Sequence, residues 1–181
     1  MSVSAPTDQA AERPEAVAAT GDALRTMLQG VASPVVVVTV AERGATIGSF
    51  ASVALDPPLV SFNVTHGTRF HEAVTSASVW AVHLLDASQA DVADRFARPD
   101  LDGPTQLAPF AHVRAASGPA LLRGTLGILM CRPHARFEAG DHTVFVGEVE
   151  DLIDGAGTEP LLYYRRSYRG IGPEVGPDDG R

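Results

Sequence analysis

No lysine occurs in this chain of 181 residues: all fourteen of its basic residues are arginine. That excludes a P-loop, whose lysine must reach the phosphates, and a pyridoxal enzyme, which needs a lysine Schiff base. Cysteine is almost as scarce. Cys131 is alone, so an internal disulfide and a thiolate metal cluster are ruled out, and a single cysteine in an apolar run reads as a small buried residue. The longest apolar runs, such as Val35 to Val38, fall far short of the ~20 residues of a membrane helix. A basic segment followed by an apolar one does not open the chain, so the cytoplasm is the default address. Positive charge is also in deficit. With a net charge of -8 and a pI near 5.1 there is no basic face for a phosphate backbone, and neither nucleic acid nor a membrane is expected as a partner. His66, His71, His83, His112 and His134 lack ligand-like spacing, so no metal is expected.

What is present suffices for one core, since 45% of the residues are hydrophobic and the length suits a single domain of roughly 150 residues plus tails. Residues 1–20, rich in Ala and Glu, read as a disordered tail, 21–170 as the domain and 171–181 as a flexible end. Asp22 is positioned to cap a short amphipathic helix that ends at Gly30. Val35 to Val40 is β-branched and apolar on both faces, as in a buried strand. A turn at Glu42-Arg43-Gly44 leads to a second strand over Thr46 to Ala51, and Asp56-Pro57-Pro58 interrupts pairing before a strand at Leu59 to Val64. Thr68 is placed to cap a helix through Phe70 and Val74, with Glu72 in its first turn. A strand over Val79 to Leu85 and a helix opened by a capping box at Ser88 to Asp91 follow. Asp100 to Ala120 reads as a long irregular loop. Strands are expected at Thr125 to Phe137, Thr143 to Ile153 and Leu161 to Tyr164, with an arginine-rich exit at Arg165 to Gly170. About seven strands and three short helices, without a βαβ rhythm, predict a mainly β protein: an antiparallel barrel or sandwich closed by helices. A Rossmann fold is excluded, because no G-x-G-x-x-G follows a strand.

Several ordered motifs then fall into place. Gly44 to Pro58, Val79 to Phe96, Gly140-Asp141-His142-Thr143 with Gly147-Glu148-Val149, and Pro160 to Tyr164 with Tyr168 together resemble the flavin reductase family of FMN-binding split barrels. The resemblance covers about Leu24 to Gly170. It implies an antiparallel split β-barrel of Greek-key type and a homodimer with flavin near the subunit interface. It also implies hydride transfer from NADH or NADPH to FAD or FMN, and a partner monooxygenase that receives the reduced flavin. The ring is assigned to the strand with Gly44, Ala45, Thr46, Gly48, Ser49 and Ser52. The ribityl and phosphate end falls to Asn63, Val64, Thr65, Thr68 and Arg69. His142 is assigned to the nicotinamide side as the catalytic residue, with Tyr168 stacking nearby. Arg165, Arg166 and Arg169 are either a solvated exit or an attractor for dinucleotide phosphates.

Three departures stand out: Gly48 where the family carries Asn, Ser or Gln, Ser33-Pro34 where Ser/Thr-Gly is usual, and Asp102-Gly103-Pro104 where Asp-Lys-Phe is common. Two further readings stay open. One is a split-barrel flavoprotein acting directly on an organic substrate, and the other is a flavin-binding protein without reductase activity.

Overall fold

The valine run is buried on both faces because two separate cores meet on it. In the computed structural model, which describes residues 16–114 and 118–176, Val36 and Val38 join one hydrophobic cluster and Val35 and Val37 join another. Strand alternation puts successive side chains on opposite sides. Each buried valine contributes about 1.5–3 kcal/mol.

The elements, in order, begin with α1 (Gly21–Leu28), β1 (Ser33–Pro34), β2 (Val36–Val40), β3 (Arg43–Ile47), β4 (Ala51–Leu55), β5 (Pro58–Thr65), α2 (Arg69–Ser76) and β6 (Trp80–Leu84). After a single 3₁₀ turn at Ala87–Gln89 come α3 (Ala90–Phe96), α4 (Gly103–Leu107), β7 (His112–Arg114), β8 (Ala120–Leu122), β9 (Gly127–Ala139), β10 (His142–Asp154), β11 (Leu162–Tyr164) and β12 (Ser167–Arg169). Seven strands form one sheet in the order β3-β2-β6-β9-β10-β5-β4, with every pairing antiparallel. The fold is the expected mainly β split barrel. Its interior holds Phe62, Trp80 and Phe145, with α2 inserting Phe70 and Val74. The second core lies outside β2, under α3 and α4. Cys131 is fully buried in the first, and burial pushes its thiol up to about 12, so it is inert at neutral pH.

Several expectations are corrected. The strand foreseen over Thr46 to Ala51 is two strands: β3 pairs with β2 and β4 with β5, at opposite ends of the seven-stranded order. Gly48-Ser49-Phe50 is the crossing between the two sheet edges. Pro58 opens β5 opposite Leu55 rather than ending pairing, which suits a proline on the first residue of a strand. Thr20, not Asp22, caps α1, its hydroxyl accepting from the Ala23 N–H at 3.2 Å. The capping box begins two residues earlier than expected, with Asp86 and Gln89 as its reciprocal pair. The Asp100 to Ala120 segment contains α4 and β7, and the arginine exit is half of the β11–β12 hairpin. Residues 1–15, 115–117 and 177–181 lie outside the described part, and with them most of the expected N-terminal tail and the last five residues of the expected C-terminal one. Among the described residues no helix is long and apolar enough to cross a membrane.

Candidate active site

β3 is an end strand, and a cleft of about 690 Å³ opens along its free edge. The Gly44 N–H points off that edge to Gln106 Oε1 at 3.2 Å. Alternation along an antiparallel strand therefore turns the N–H and C=O of Thr46 to the same unpaired side. Gly44 itself answers to packing: a Cβ there would meet the Phe96 ring at 2.7 Å. The Thr46 hydroxyl is already used, donating to Ala93 O at 2.6 Å, so this side chain anchors α3 while its backbone faces the cleft. Where the chain crosses between the two edges of the sheet, Ser49 Oγ accepts the Asn63 N–H at 2.9 Å, which leaves the Ser49 O–H free to donate.

The other end is built on α2. Thr68 caps it as expected, accepting the His71 N–H and donating to Thr65 O, both at 3.1 Å. Its single donor is thereby taken, so Thr68 presents the helix terminus rather than its own hydroxyl. The first-turn amides of Arg69 and Phe70 have no intrahelical acceptor, and they point with the helix dipole at any anion placed there. Arg69 lines the cleft beside them and forms no ion pair among the described residues.

His142 completes the rim. Its Nδ1 lies 2.6 Å from Asp141 Oδ1 and its Nε2 3.0 Å from Thr65 Oγ1. A carboxylate on Nδ1 holds the proton there, so Nε2 accepts the Thr65 hydroxyl while the ring is neutral. The His142 hydrogen bond and charge hold the Asp141 carboxyl below the usual carboxylate range.

Of the residues singled out from the sequence, Gly44, Ala45, Thr46, Gly48, Ser49, Asn63, Val64, Thr65, Thr68, Arg69 and His142 all line this one cleft. Ser52 and Tyr168 do not. Ser52 sits on β4 opposite Val60, and Tyr168 pairs with Tyr163 on the β11–β12 hairpin. Sequence reasoning missed Arg43 at the start of β3 and the facing wall, Phe96 to Pro99 with Leu101 and Gln106. A signal was available in Asp102, whose carboxylate caps α4 by accepting the Thr105 N–H at 2.8 Å, with Pro104 in the first turn. An Asp followed by such a proline is a helix start. Those bonds to Thr105, helped by Arg43 and Arg69, lower the Asp102 pKa.

The lining therefore contains Arg43, Arg69 and Arg98 but no carboxylate, in a chain whose net charge is -8. An anionic ligand with a flat, hydrogen-bonding edge suits those walls. Residues 28–172 match the flavin reductase like domain. The chain belongs to that family. It is 34% identical over 165 residues to an NADH-dependent FAD reductase of Streptomyces globisporus, covering 87% of this chain and 88% of the relative. It is also 34% identical over 128 residues to the reductase component of 4-hydroxyphenylacetate 3-monooxygenase from Thermus thermophilus, covering 71% and 78%. Among solved structures, the Streptomyces globisporus C-1027 NADH:FAD oxidoreductase SgcE6 in complex with NAD and FAD fragments superposes with a TM-score of 0.78 at 32% identity, covering 92% of this chain and 99% of that one.

Proposed function

We propose that this flavin reductase family member uses NADH or NADPH to reduce FAD or FMN and delivers the reduced flavin to a separate monooxygenase component. One observation carries the reading: a cleft lined by three arginines and no carboxylate lies along an unpaired strand edge. The residues fit a flavin. The Thr46 backbone, the Ser49 O–H and the Asn63 side chain offer donors and acceptors to the ring edge and ribityl chain, and Arg69 with the α2 amides suits a phosphate. Bound there, flavin would supply the acceptor for the nicotinamide hydride. The protein's contribution is to orient the two rings and exclude water. His142, fixed between Asp141 and Thr65, holds the rim where the nicotinamide enters.

A homodimer completes the reading. α1 buries no residue and leaves Leu24, Met27 and Leu28 exposed, while β4, at the end of its sheet, exposes Val53 and Leu55. An isolated helix of eight residues is not stable in water, so a second copy is the natural cover. Ser52 and Tyr168 are assigned to the cofactors through that assembly. Sedimentation velocity at micromolar concentration should give twice the chain mass, and a monomer would refute the assignment.

The deciding assay mixes purified protein with NADH or NADPH and excess FAD or FMN under air, following nicotinamide absorbance. Oxidation sustained by free flavin is expected. His142→Ala should lower turnover more than it lowers flavin affinity. Flavin binding without nicotinamide oxidation would overturn the reductase reading.

A further inference from the structure

The β11–β12 hairpin turns on two arginines in a conformation that disfavours them. Tyr164 pairs with Ser167, so Arg165 and Arg166 form a two-residue loop, with φ of 47° and 62°. Turns of this kind call for Asn-Gly or Asp-Gly, because a Cβ is strained at positive φ. Strain retained at such a position points to function. Arg25, Arg98, Arg114 and Arg132 are ion-paired within the chain, whereas among the described residues Arg165, Arg166 and Arg169 are not. The Arg165 guanidinium lies 5.3 Å from the Tyr164 ring centroid, and the Arg165 backbone N–H donates to Gln29 O at 3.1 Å, tying the loop to the end of α1. Beside the loop, Tyr163 is 42% exposed and meets Tyr168 edge-on at 5.4 Å between centroids. The hairpin therefore presents cations at its tip and an open aromatic face along its stem.

Its position in the fold gives this combination a purpose. Ser33 pairs with Tyr163, and a Cβ added at Gly48 would stand 4.0 Å from the Ser33 Cβ. The hairpin thus begins at the Gly48 end of the cleft, whereas the flavin phosphate is assigned to Arg69. We propose that it is the docking arm for the adenylate half of the reduced nicotinamide dinucleotide. Arg165 and Arg166 meet the phosphate on the adenosine side, which the mononucleotide lacks, and Tyr163 offers its ring to the adenine. The inference rests on the reductase reading for the identity of the dinucleotide.

The test pairs Arg165→Asn with Arg166→Gly, a double variant that relaxes the turn and so keeps the hairpin. NAD⁺ and nicotinamide mononucleotide are titrated calorimetrically into flavin-loaded protein, and KM is measured for NADH and for reduced nicotinamide mononucleotide. The double variant should bind NAD⁺ at least tenfold more weakly and raise KM for NADH correspondingly, with the mononucleotide values and flavin affinity unchanged. Equal NAD⁺ affinity in the two proteins would overturn the arm, as would a parallel loss for the mononucleotide. Selective loss of NAD⁺ affinity in a protein that never oxidises NADH would uphold the arm and overturn the reductase reading instead.

Discussion

Acid should unfold this protein through a histidine remote from its cleft lining. His83, in the middle of β6, is completely buried, with Nδ1 2.9 Å from Val37 O and Nε2 without a hydrogen-bond partner. Burial lowers its pKa from 6.5 to about 4, because a charged imidazole there would lose its water. The folded value lies below the unfolded one, so between pH 6.5 and 4 the unfolded chain binds the extra proton. The stability linked to a neutral His83 is therefore fully present above that window and is lost as pH falls through it. The whole shift corresponds to about 3 kcal/mol, and at pH 5 about 2 kcal/mol of it has gone. For a chain of this size that lowers Tm by roughly 4–8 °C. Urea titrations at pH 7.5 and pH 5 measure the effect directly, with the fluorescence of Trp80, the only tryptophan and itself buried, as the probe. His83→Gln keeps an N–H for Val37 O but cannot titrate, so its loss of stability across the same interval should be smaller by about 2 kcal/mol. Identical pH slopes for the two proteins would show that the buried imidazole is not the acid-sensitive group.

Two further substitutions test the strand edge that builds the cleft. Gly48 has open space around it, with no heavy atom nearer than 4.0 Å to an added Cβ, so Gly48→Asn should fold normally and add one polar contact to the flavin. Several-fold tighter flavin binding in a fluorescence titration is expected, and unchanged affinity would place the ring elsewhere. Gly44→Ala has the opposite character, since its methyl would stand 2.7 Å from the Phe96 ring and overpacking costs about 1–3 kcal/mol. Urea unfolding should show that loss together with weakened flavin binding, because Phe96 is also a wall of the cleft; full stability would refute the packing role given to this glycine.

Local chemistry was readable wherever the answer was decided within a few residues. The valines of β2 announce a strand with two buried faces, Thr68 announces the start of α2, and both hold because β-branching and a side-chain cap act locally. Strand pairing is not local. Thr46 to Ala51 reads as one strand in the sequence, yet the chain must leave β2 and reach β5 at the other end of the sheet, and no residue pattern records that crossing. The same distinction explains the two halves of the cleft. Its first wall runs continuously from Arg43 to Ser49 and was legible from Gly44 onward; its second comes from Phe96 to Gln106, brought across by bonds from Thr46 to Ala93 and from Gly44 to Gln106. Both bonds leave from the stretch that carries the family motif. Gly44 and Thr46 therefore owe their place in that motif at least as much to holding the second wall as to touching a flavin, while Gly48, free of packing duties, is the position on this edge where a change of side chain acts on the ligand alone.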